Sequence, residues 1–394
     1  MENRTGLLSN AIIWFGVAIS VSEIEAGIGI GATTSLSSLW FPLILGHILG
    51  GILLFLVGYI GASIRQNAME MTSSTFGRYG SKFFATLNVL QLVAWVAVLN
   101  SQGATALASL NLPISFPLTC VFLAALIALW VYLGLKRIEK VTTVIMTILT
   151  VLLVVLSFKL LGYASTEALP LNSTALGFWN IFEISIAMPI SWLPVISDYT
   201  KDVEKPVKAT VLSAVAYTIA SLWMYFIGIE IANIGASYTI AQAILLANLG
   251  TVGIIIVVLS TITTNFMAAN SAGESAKVIY NKLNPKVVGV IVSAISAVLA
   301  ISGIMDHYID FLYLIASVFA PMAAVLLVSF YISKDNLSDS RVWYWNMFAW
   351  LAGFIVYNIT LSMDSIFLGP TLLAIIVSAV LAYAGDLIFK KKKS

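Results

Sequence analysis

The sequence predicts an all-α polytopic membrane protein with twelve transmembrane helices, from its composition, its charge distribution and two interrupted apolar segments. Of its 394 residues, 60% are apolar and 10% are charged, whereas a soluble globular protein is about 25% charged. A helical span needs ~20 mostly apolar residues, so the chain can furnish about twelve spans. The apolar runs are long and continuous, unlike the alternating segments of a β-barrel. A soluble enzyme, a nucleic-acid-binding protein and a secreted disulfide scaffold are therefore excluded.

Long apolar segments separated by short connections define the predicted spans. They cover residues 8–32, 40–62, 83–108, 116–135, 141–163, 175–197, 207–231, 243–270, 286–304, 309–332, 343–361 and 366–388. Because the connections are too short for a soluble domain, we expect residues 1–394 to form a single transmembrane domain. Its one cysteine, Cys120, lies inside an apolar run, so the sequence holds no disulfide framework.

Lysine and arginine mark one side of the predicted membrane domain. All 20 except Lys159 lie before the first span, after an even-numbered span or at the end of the chain. Positive residues favour the cytoplasmic side, so both termini are predicted to be cytoplasmic and the number of spans must be even. We expect a multi-pass protein of the cell (plasma or inner) membrane. Lys390–Lys393 would be a topology anchor, and a lipid-binding patch is the alternative.

Two predicted spans, the first and the sixth, are interrupted by helix-breaking residues. The first carries three alternate glycines within Ser20–Gly31, and the sixth carries two prolines within Met188–Pro194. Each of these two spans is the first of a block of five. Because five is an odd number, the second block has the opposite orientation in the membrane. We therefore expect inverted repeats over 8–163 and 175–332, with two additional helices over 343–388. Such broken helices bind substrate and ion near the midplane of transporters; kinks that serve packing are the alternative.

Three glutamates lie deep inside predicted spans. A carboxylate at the bilayer centre costs at least ~2.5 kcal/mol, so Glu23, Glu25 and Glu183 are functional candidates. Glu23 lies in the first interrupted segment and is the leading candidate for a polar substrate contact or a proton site. The alternative is a protonated glutamate bonded to a backbone carbonyl, and for Glu25 and Glu183 the two interpretations are evenly balanced.

An amide and an indole share one face of the third predicted span. Gln91 and Trp95 are four residues apart, so they are neighbours on a helix. A flat heteroaromatic ring could stack on the indole while the amide reads its polar edge. Trp192, in the sixth span, is a second possible stacking surface. Since the sequence contains ten tryptophans, packing is the alternative interpretation.

The eighth predicted span is unusually polar over Ser260–Asn270. Thr263 and Thr264 could offer hydroxyl oxygens to Na⁺, with backbone carbonyls completing the shell, and Asn265 and Asn270 could face the same cavity. Hydrogen bonds between helices are the alternative. The sequence shows no zinc motif or nucleotide-binding loop, so we expect no cofactor, with Na⁺ as a coupling ion.

The chain resembles the nucleobase:cation symporter-1 family, which includes cytosine permeases and the hydantoin transporter. The motifs that carry the resemblance are Gly58–Ala62, Ser74–Gly77, Ser197–Tyr199 and Thr263–Asn265. The finer pattern is similar to the CytX branch, which is taken to carry hydroxymethylpyrimidine, a thiamine precursor. That pattern comprises Ser22–Ile24, Asn88–Trp95 and Met188–Pro194.

The resemblance implies a LeuT-type fold of ten core helices plus two extra ones, and sodium-coupled uptake by alternating access. By similarity, the Na⁺ site would use the carbonyls of Gly16, Ser20 and Ser260 and the hydroxyls of Thr263 and Thr264. Trp95 matches the family's stacking tryptophan. The family's aromatic residue on the sixth helix falls on Pro189, so Trp192 is expected to stack instead. Glu23 replaces a small residue of the cytosine permeases, which implies a different polar pattern on the substrate.

The sequence as a whole thus predicts a secondary transporter, not an enzyme, that imports a pyrimidine, with hydroxymethylpyrimidine as the expected substrate. The ring would stack on Trp95, and its polar edge would contact Gln91, Glu23, Ser191 and Asn265. The expected partners are the pyrimidine, Na⁺ and the lipid bilayer, with no nucleic acid and no obligate protein. The alternatives are a cytosine or other nucleobase permease, coupled to protons, and an intramembrane enzyme built on the three buried glutamates.

Overall fold

The computed structural model describes residues 4–109, 113–162, 176–235, 238–333, 340–363 and 367–389, without the side chains of residues 135–142 and 256–257. Lys390–Lys393, the predicted topology anchor, lies outside the described residues. The described chain is helical and contains no strand. Its helices are α1 Leu7–Ala18, α2 Val21–Gly31, α3 Leu36–Ile64, α4 Ser73–Ala108, α5 Phe116–Leu133, α6 Leu135–Leu161, α7 Phe178–Ser191, α8 Leu193–Thr200, α9 Pro206–Ile234, α10 Ile240–Leu246, α11 Gly250–Ile279, α12 Pro285–Ile301, α13 Tyr308–Tyr331, α14 Ser340–Leu361 and α15 Pro370–Phe389.

These helices occupy all twelve predicted positions. Among the described residues, nine segments are long and apolar enough to cross a bilayer, and the α1–α2 pair would make a tenth span. The 17-residue α12 and the longer α14 occupy the remaining two positions. The predicted span 243–270 is wrong in one respect, because it contains a break between α10 and α11. Asn248 and Gly250 have φ angles of 55° and 60° there, outside the range of a right-handed helix.

The first interrupted span bends by 47° between α1 and α2. The break consists of Ile19 and Ser20, so it falls at the first residue of the predicted window. The glycines that prompted the prediction are helical instead. Gly27 and Gly31 allow α2 to lie directly on the backbone of α9, since a Cβ on either would stand 3.0 Å or less from a backbone atom of that helix. Small residues commonly permit such close contact between membrane helices.

The second interruption, at Trp192, separates α7 from α8. Pro189 lies within α7, and Pro194 occupies the first turn of α8, where its missing N–H has no helical partner to lose. The two helices nevertheless form one apolar segment, Phe178–Thr200. This break is therefore milder than the one between α1 and α2.

The helices that position the candidate site form two groups. We call α1, α2, α3, α7, α8 and α9 the broken-helix bundle, because α1 and α2 pack on α9 while α3 packs on α7, α8 and α9. We call α4, α5, α11 and α12 the scaffold layer, because α4 packs closely on α11 and α12, and α5 joins them. Beside these groups, α14 and α15 pack on each other and on α13.

Candidate functional site

The predicted ion ligands lie where the break of the first span meets α11. The Ser260 hydroxyl donates a hydrogen bond of 3.0 Å to the carbonyl of Ile19, within the break. Ser20 N–H would donate to Gly16 in an unbroken helix but donates to Ala18 at 2.9 Å. The break therefore frees the Gly16 carbonyl of its helical donor. Unwound carbonyls of this kind coordinate Na⁺ in transporters with broken helices.

The threonine pair on α11 supplies the two predicted hydroxyl ligands. The Thr263 hydroxyl donates to the Ser260 carbonyl at 2.7 Å. The Thr264 hydroxyl is buried and has no hydrogen-bond partner within the described part of the chain. The structure thus places backbone carbonyls at the break of the first span and hydroxyls on α11 beside it. The Ser20 side chain also accepts a hydrogen bond of 3.4 Å from the Glu23 N–H.

A cavity of ≈ 1020 Å³ leads to these residues from the end of the molecule that carries Thr5 and Asp202. Arg4 and Lys201 lie at that end, and Gly16, Thr263 and Thr264 line the inner part. Asn270 and Tyr199 are among the other lining residues. In this conformation the cavity therefore connects three of the candidate ion ligands, Gly16, Thr263 and Thr264, to that end of the molecule.

The candidate substrate residues lie at the junction of α4, α11 and the second break. Gln91 Nε2 donates to the Ser191 carbonyl at 3.3 Å, which joins α4 to the residue before the break. Trp95 lies one turn further along α4 and packs edge-on against Phe311, with ring centroids 5.4 Å apart. The lining of the large cavity does not include Gln91, Trp95 or Trp192.

Asn265 belongs to the same junction. Thr261 and Ser275 of α11 contact α4 at Gly103 and Asn88, which makes the two helices antiparallel neighbours. Asn265 lies one turn from the Thr261 contact, which sets it level with the part of α4 about one turn beyond Trp95. Its side chain is completely buried, and neither amide atom has a partner in the described part of the chain.

The two predicted stacking residues are not paired with each other. Among the described residues, Trp95 has ring contacts with Tyr308 and Phe311, whereas Trp192 contacts Trp14 with centroids 5.9 Å apart. Among the described residues no direct ring contact joins the two indoles, and the stacking role of Trp192 stays a prediction.

Glu23 faces the interior of the broken-helix bundle, not the Gln91–Trp95 junction. Its carboxylate accepts hydrogen bonds from Tyr217 at 2.9 Å and Ser221 at 2.7 Å, both on α9. Ser221 is in turn 2.8 Å from His47 Nε2, and His47 Nδ1 is 2.6 Å from Ser185. One polar network therefore joins α2, α9, α3 and α7.

The opposite side of α2 contacts the scaffold layer and α13. Ser22 donates to Gln102 at 2.6 Å, and Gln102 reaches Glu25 at 3.4 Å. The Tyr308 hydroxyl donates to the Ser22 carbonyl at 3.1 Å. Gln102 and Tyr308 did not stand out in the sequence, because their partners on α2 are distant along the chain.

Glu183, the third buried glutamate, forms a structural contact. Its carboxylate accepts hydrogen bonds from the Thr371 N–H at 3.0 Å and from the Thr371 hydroxyl at 2.5 Å. Thr371 is the second residue of α15, and a carboxylate at a helix N-terminus interacts favourably with the free N–H groups there. Glu183 thus connects α7 to the additional helices and lies apart from the candidate ion and substrate residues.

Similarity to known proteins identifies the family. A family model described as "Permease for cytosine/purines, uracil, thiamine, allantoin" matches residues 1–357. The chain belongs to this permease family. No curated protein matches the permease in sequence. The family match confirms the predicted nucleobase:cation symporter-1 membership and identifies a multi-pass membrane transporter.

Solved structures share the permease's fold. Mhp1, a nucleobase-cation-symport-1 family transporter in a closed conformation with bromovinylhydantoin bound, matches with a TM-score of 0.75 at 20% identity, covering 98% of the permease and 93% of Mhp1. Inward-facing Mhp1 matches with a TM-score of 0.78 at 19% identity and coverages of 98% and 92%. A Na⁺-coupled sialic acid symporter matches at 0.71 and 12%, with coverages of 98% and 90%. These matches confirm the predicted LeuT-type fold.

Proposed function

We propose that the permease imports a pyrimidine, with hydroxymethylpyrimidine as the expected substrate, by Na⁺-coupled alternating access across the cell membrane. The observation that carries the proposal is that four side chains on α4 and α11, among the buried ones of the described residues, have polar atoms without a partner. They are Gln91 Oε1, Trp95 Nε1, Asn265 Oδ1 and Nδ2, and Thr264 Oγ1. Leaving a buried polar group unpaired costs about 1–3 kcal/mol, and a polar ligand at this junction would satisfy several of them.

The pyrimidine would bridge the two groups of helices. Its ring stacks on Trp95, and its polar edge contacts Gln91, Asn265 and the backbone at Ser191, where the broken-helix bundle meets the scaffold layer. Hydrogen bonds already join Gln91 to Ser191 across this boundary. Glu23, the other predicted polar contact, faces α9 in this conformation and is therefore left out of the proposed substrate site.

Na⁺ would occupy the break of the first span. The carbonyls of Gly16, Ser20 and Ser260 and the hydroxyls of Thr263 and Thr264 would coordinate it, as the sequence predicts. The ion would hold α1 and α2 at a fixed distance from α11 and so favour the arrangement that binds the pyrimidine. With both termini cytoplasmic, the large cavity would open to the cytoplasm, which is the side of release.

Thermal stabilisation of the purified permease by a panel of ring compounds tests the proposal. The panel contains hydroxymethylpyrimidine, cytosine, uracil and adenine, each measured in Na⁺ and in K⁺ at equal ionic strength. We expect the largest shift for hydroxymethylpyrimidine in Na⁺ and a much smaller shift in K⁺, because a ligand stabilises the folded state in proportion to its occupancy. A larger shift with cytosine would identify cytosine as the preferred substrate. Equal shifts in the two salts would contradict Na⁺ coupling.

A further inference from the structure

Asn88 lies one helical turn before Gln91 on α4 and is completely buried. Its Nδ2 donates to the Pro194 carbonyl at 2.9 Å and to the Ser275 hydroxyl at 2.8 Å. A carbonyl oxygen can only accept, so the amide cannot be turned over without placing two oxygens in contact. The Pro194 carbonyl on α8 therefore fixes which way Asn88 Oδ1 points.

The fixed Asn88 amide in turn fixes Gln91. Asn88 Oδ1 accepts a hydrogen bond of 2.7 Å from Gln91 Nε2, and the second N–H of that nitrogen is directed at the Ser191 carbonyl, 3.3 Å away. An amide nitrogen has two N–H groups, so both are used. Turning Gln91 over would set its oxygen against two acceptors. Only Gln91 Oε1 is left, and it is buried without a partner in the described residues.

From this geometry we infer that Asn88 is a specificity-determining residue, which makes Gln91 present an acceptor to the substrate and so selects a ring that carries an amino group over the same ring with an oxo group there. The inference rests on the proposed function, since it takes Gln91 as a substrate contact. An exocyclic amine donates to Oε1, whereas an oxo group would leave two buried acceptors facing each other. We expect a preference of roughly 5- to 150-fold for the amino compound, the range that corresponds to one unpaired buried group.

The competing interpretation is that Asn88 only connects helices, because it joins α4 to α8 and α11. A structural residue would change the affinities for both compounds together when it is replaced. A specificity residue would change the ratio of the two affinities. The ratio is therefore the measurement that separates the two roles.

The experiment measures binding of two compounds to the purified full-length permease by isothermal titration calorimetry. The compounds are hydroxymethylpyrimidine and the analogue in which an oxo group replaces its exocyclic amino group. In Asn88→Ala, Gln91 Nε2 loses its 2.7 Å partner and the amide can turn over, so we expect the preference for the amino compound to fall at least fivefold. Ser275→Ala is the matched control: it removes one bond to Asn88 but leaves Pro194 and Gln91 in place, and should keep the wild-type ratio.

Further outcomes keep the inference falsifiable. Gln91→Met removes the acceptor itself and should also reduce the preference, which covers the case in which Asn88→Ala does not fold. Equal binding of the two compounds by the wild type, or an unchanged ratio in Asn88→Ala or in Gln91→Met, would overturn the specificity role while leaving pyrimidine transport intact. Failure of the wild type to bind either compound would instead overturn the proposed function, and this inference with it.

Discussion

Buried amides in the permease differ in whether the protein itself satisfies them. Asn88 has partners for both of its polar atoms, whereas Asn265, on the facing helix α11, has none in the described residues. A satisfied amide fixes the geometry around it, and an unsatisfied one gains free energy when a ligand arrives. Asn88 therefore behaves as a positioning residue, and Asn265 behaves as a binding residue.

Trp95→Ala should remove most of the affinity for the pyrimidine. Stacking of a base on an aromatic side chain is worth about 1–3 kcal/mol, so we expect binding ~5- to 150-fold weaker and no measurable uptake of radiolabelled pyrimidine. Trp40→Ala is the control, since Trp40 packs against Phe226 away from the junction. Equal amounts of both variants in the membrane would show that insertion is intact, and wild-type uptake by Trp95→Ala would exclude Trp95 from the site.

Thr264→Ala should remove the sodium dependence of uptake. The substitution deletes the hydroxyl that is buried without a partner in the described residues, and therefore one proposed Na⁺ ligand, at little cost to the protein's own hydrogen bonds. The measurement is uptake over a range of Na⁺ concentrations at constant ionic strength. Ser271→Ala, on the same helix, deletes a buried hydroxyl outside the proposed ion site and should keep the wild-type Na⁺ curve. A wild-type curve for Thr264→Ala would contradict the ion assignment.

Helical spacing predicts some of the site but not the direction of every side chain. The four-residue interval predicts that Gln91 and Trp95 share one face of α4. Glu23 and Ser22 are adjacent, and a rotation of about 100° between them sends one toward α9 and the other toward α4. His47 gave no signal in the sequence, because Ser185 and Ser221 are 138 and 174 residues away.

Glycines on both helices form the close backbone contact between α2 and α9. A Cβ on Gly27 would stand 2.9 Å from the Tyr225 Cα, and a Cβ on Gly228 would stand 2.8 Å from the Ile28 nitrogen. Each helix thus needs glycine where the other approaches. Glycines within a helix can serve either flexibility or close packing. The sequence alone could not show which of the two purposes these glycines serve.

Gly27→Ala should therefore destabilise the permease, although alanine is the better helix former. Overpacking costs typically 1–3 kcal/mol, which outweighs a propensity gain of up to about 1 kcal/mol. Gly29→Ala is the matched control, because Gly29 lies two residues away with open space around its Cα. We expect the thermal midpoint to fall for Gly27→Ala and to stay or rise for Gly29→Ala. A similar shift in the two variants would mean that the close contact between α2 and α9 does not limit stability.

Across the whole molecule, composition and charge were sufficient to predict an all-helical membrane protein, whereas the LeuT-type fold was implied by the family resemblance. Every predicted span has a helix, because the need to satisfy backbone groups in lipid leaves few alternatives. The break between α10 and α11 was missed, since Asn248 and Gly250 lie in an apolar run where nothing in the composition indicates a positive φ. Local backbone conformation is therefore the part of the architecture that the sequence predicted least well.

The orientation of the permease can be measured with engineered thiols. Cys120 is the single cysteine and is buried, so Cys120→Ser supplies a background without thiols. Lys282→Cys and Ser302→Cys then place a thiol on exposed positions at either end of α12. On intact cells an impermeant maleimide should label Ser302→Cys but not Lys282→Cys, and both should react after the cells are opened. The reverse pattern would put the termini outside.

The Ser260–Ile19 hydrogen bond crosses the boundary between the broken-helix bundle and the scaffold layer, and so does the bond from Gln91 to Ser191. The proposed ion and pyrimidine sites therefore both lie at the boundary between the broken-helix bundle and the scaffold layer, without direct contact between them. Thermodynamic linkage then makes their effects equal: the factor by which saturating Na⁺ tightens pyrimidine binding must equal the factor by which saturating pyrimidine tightens Na⁺ binding. Two binding titrations, each with the other ligand present and absent, must give the same number.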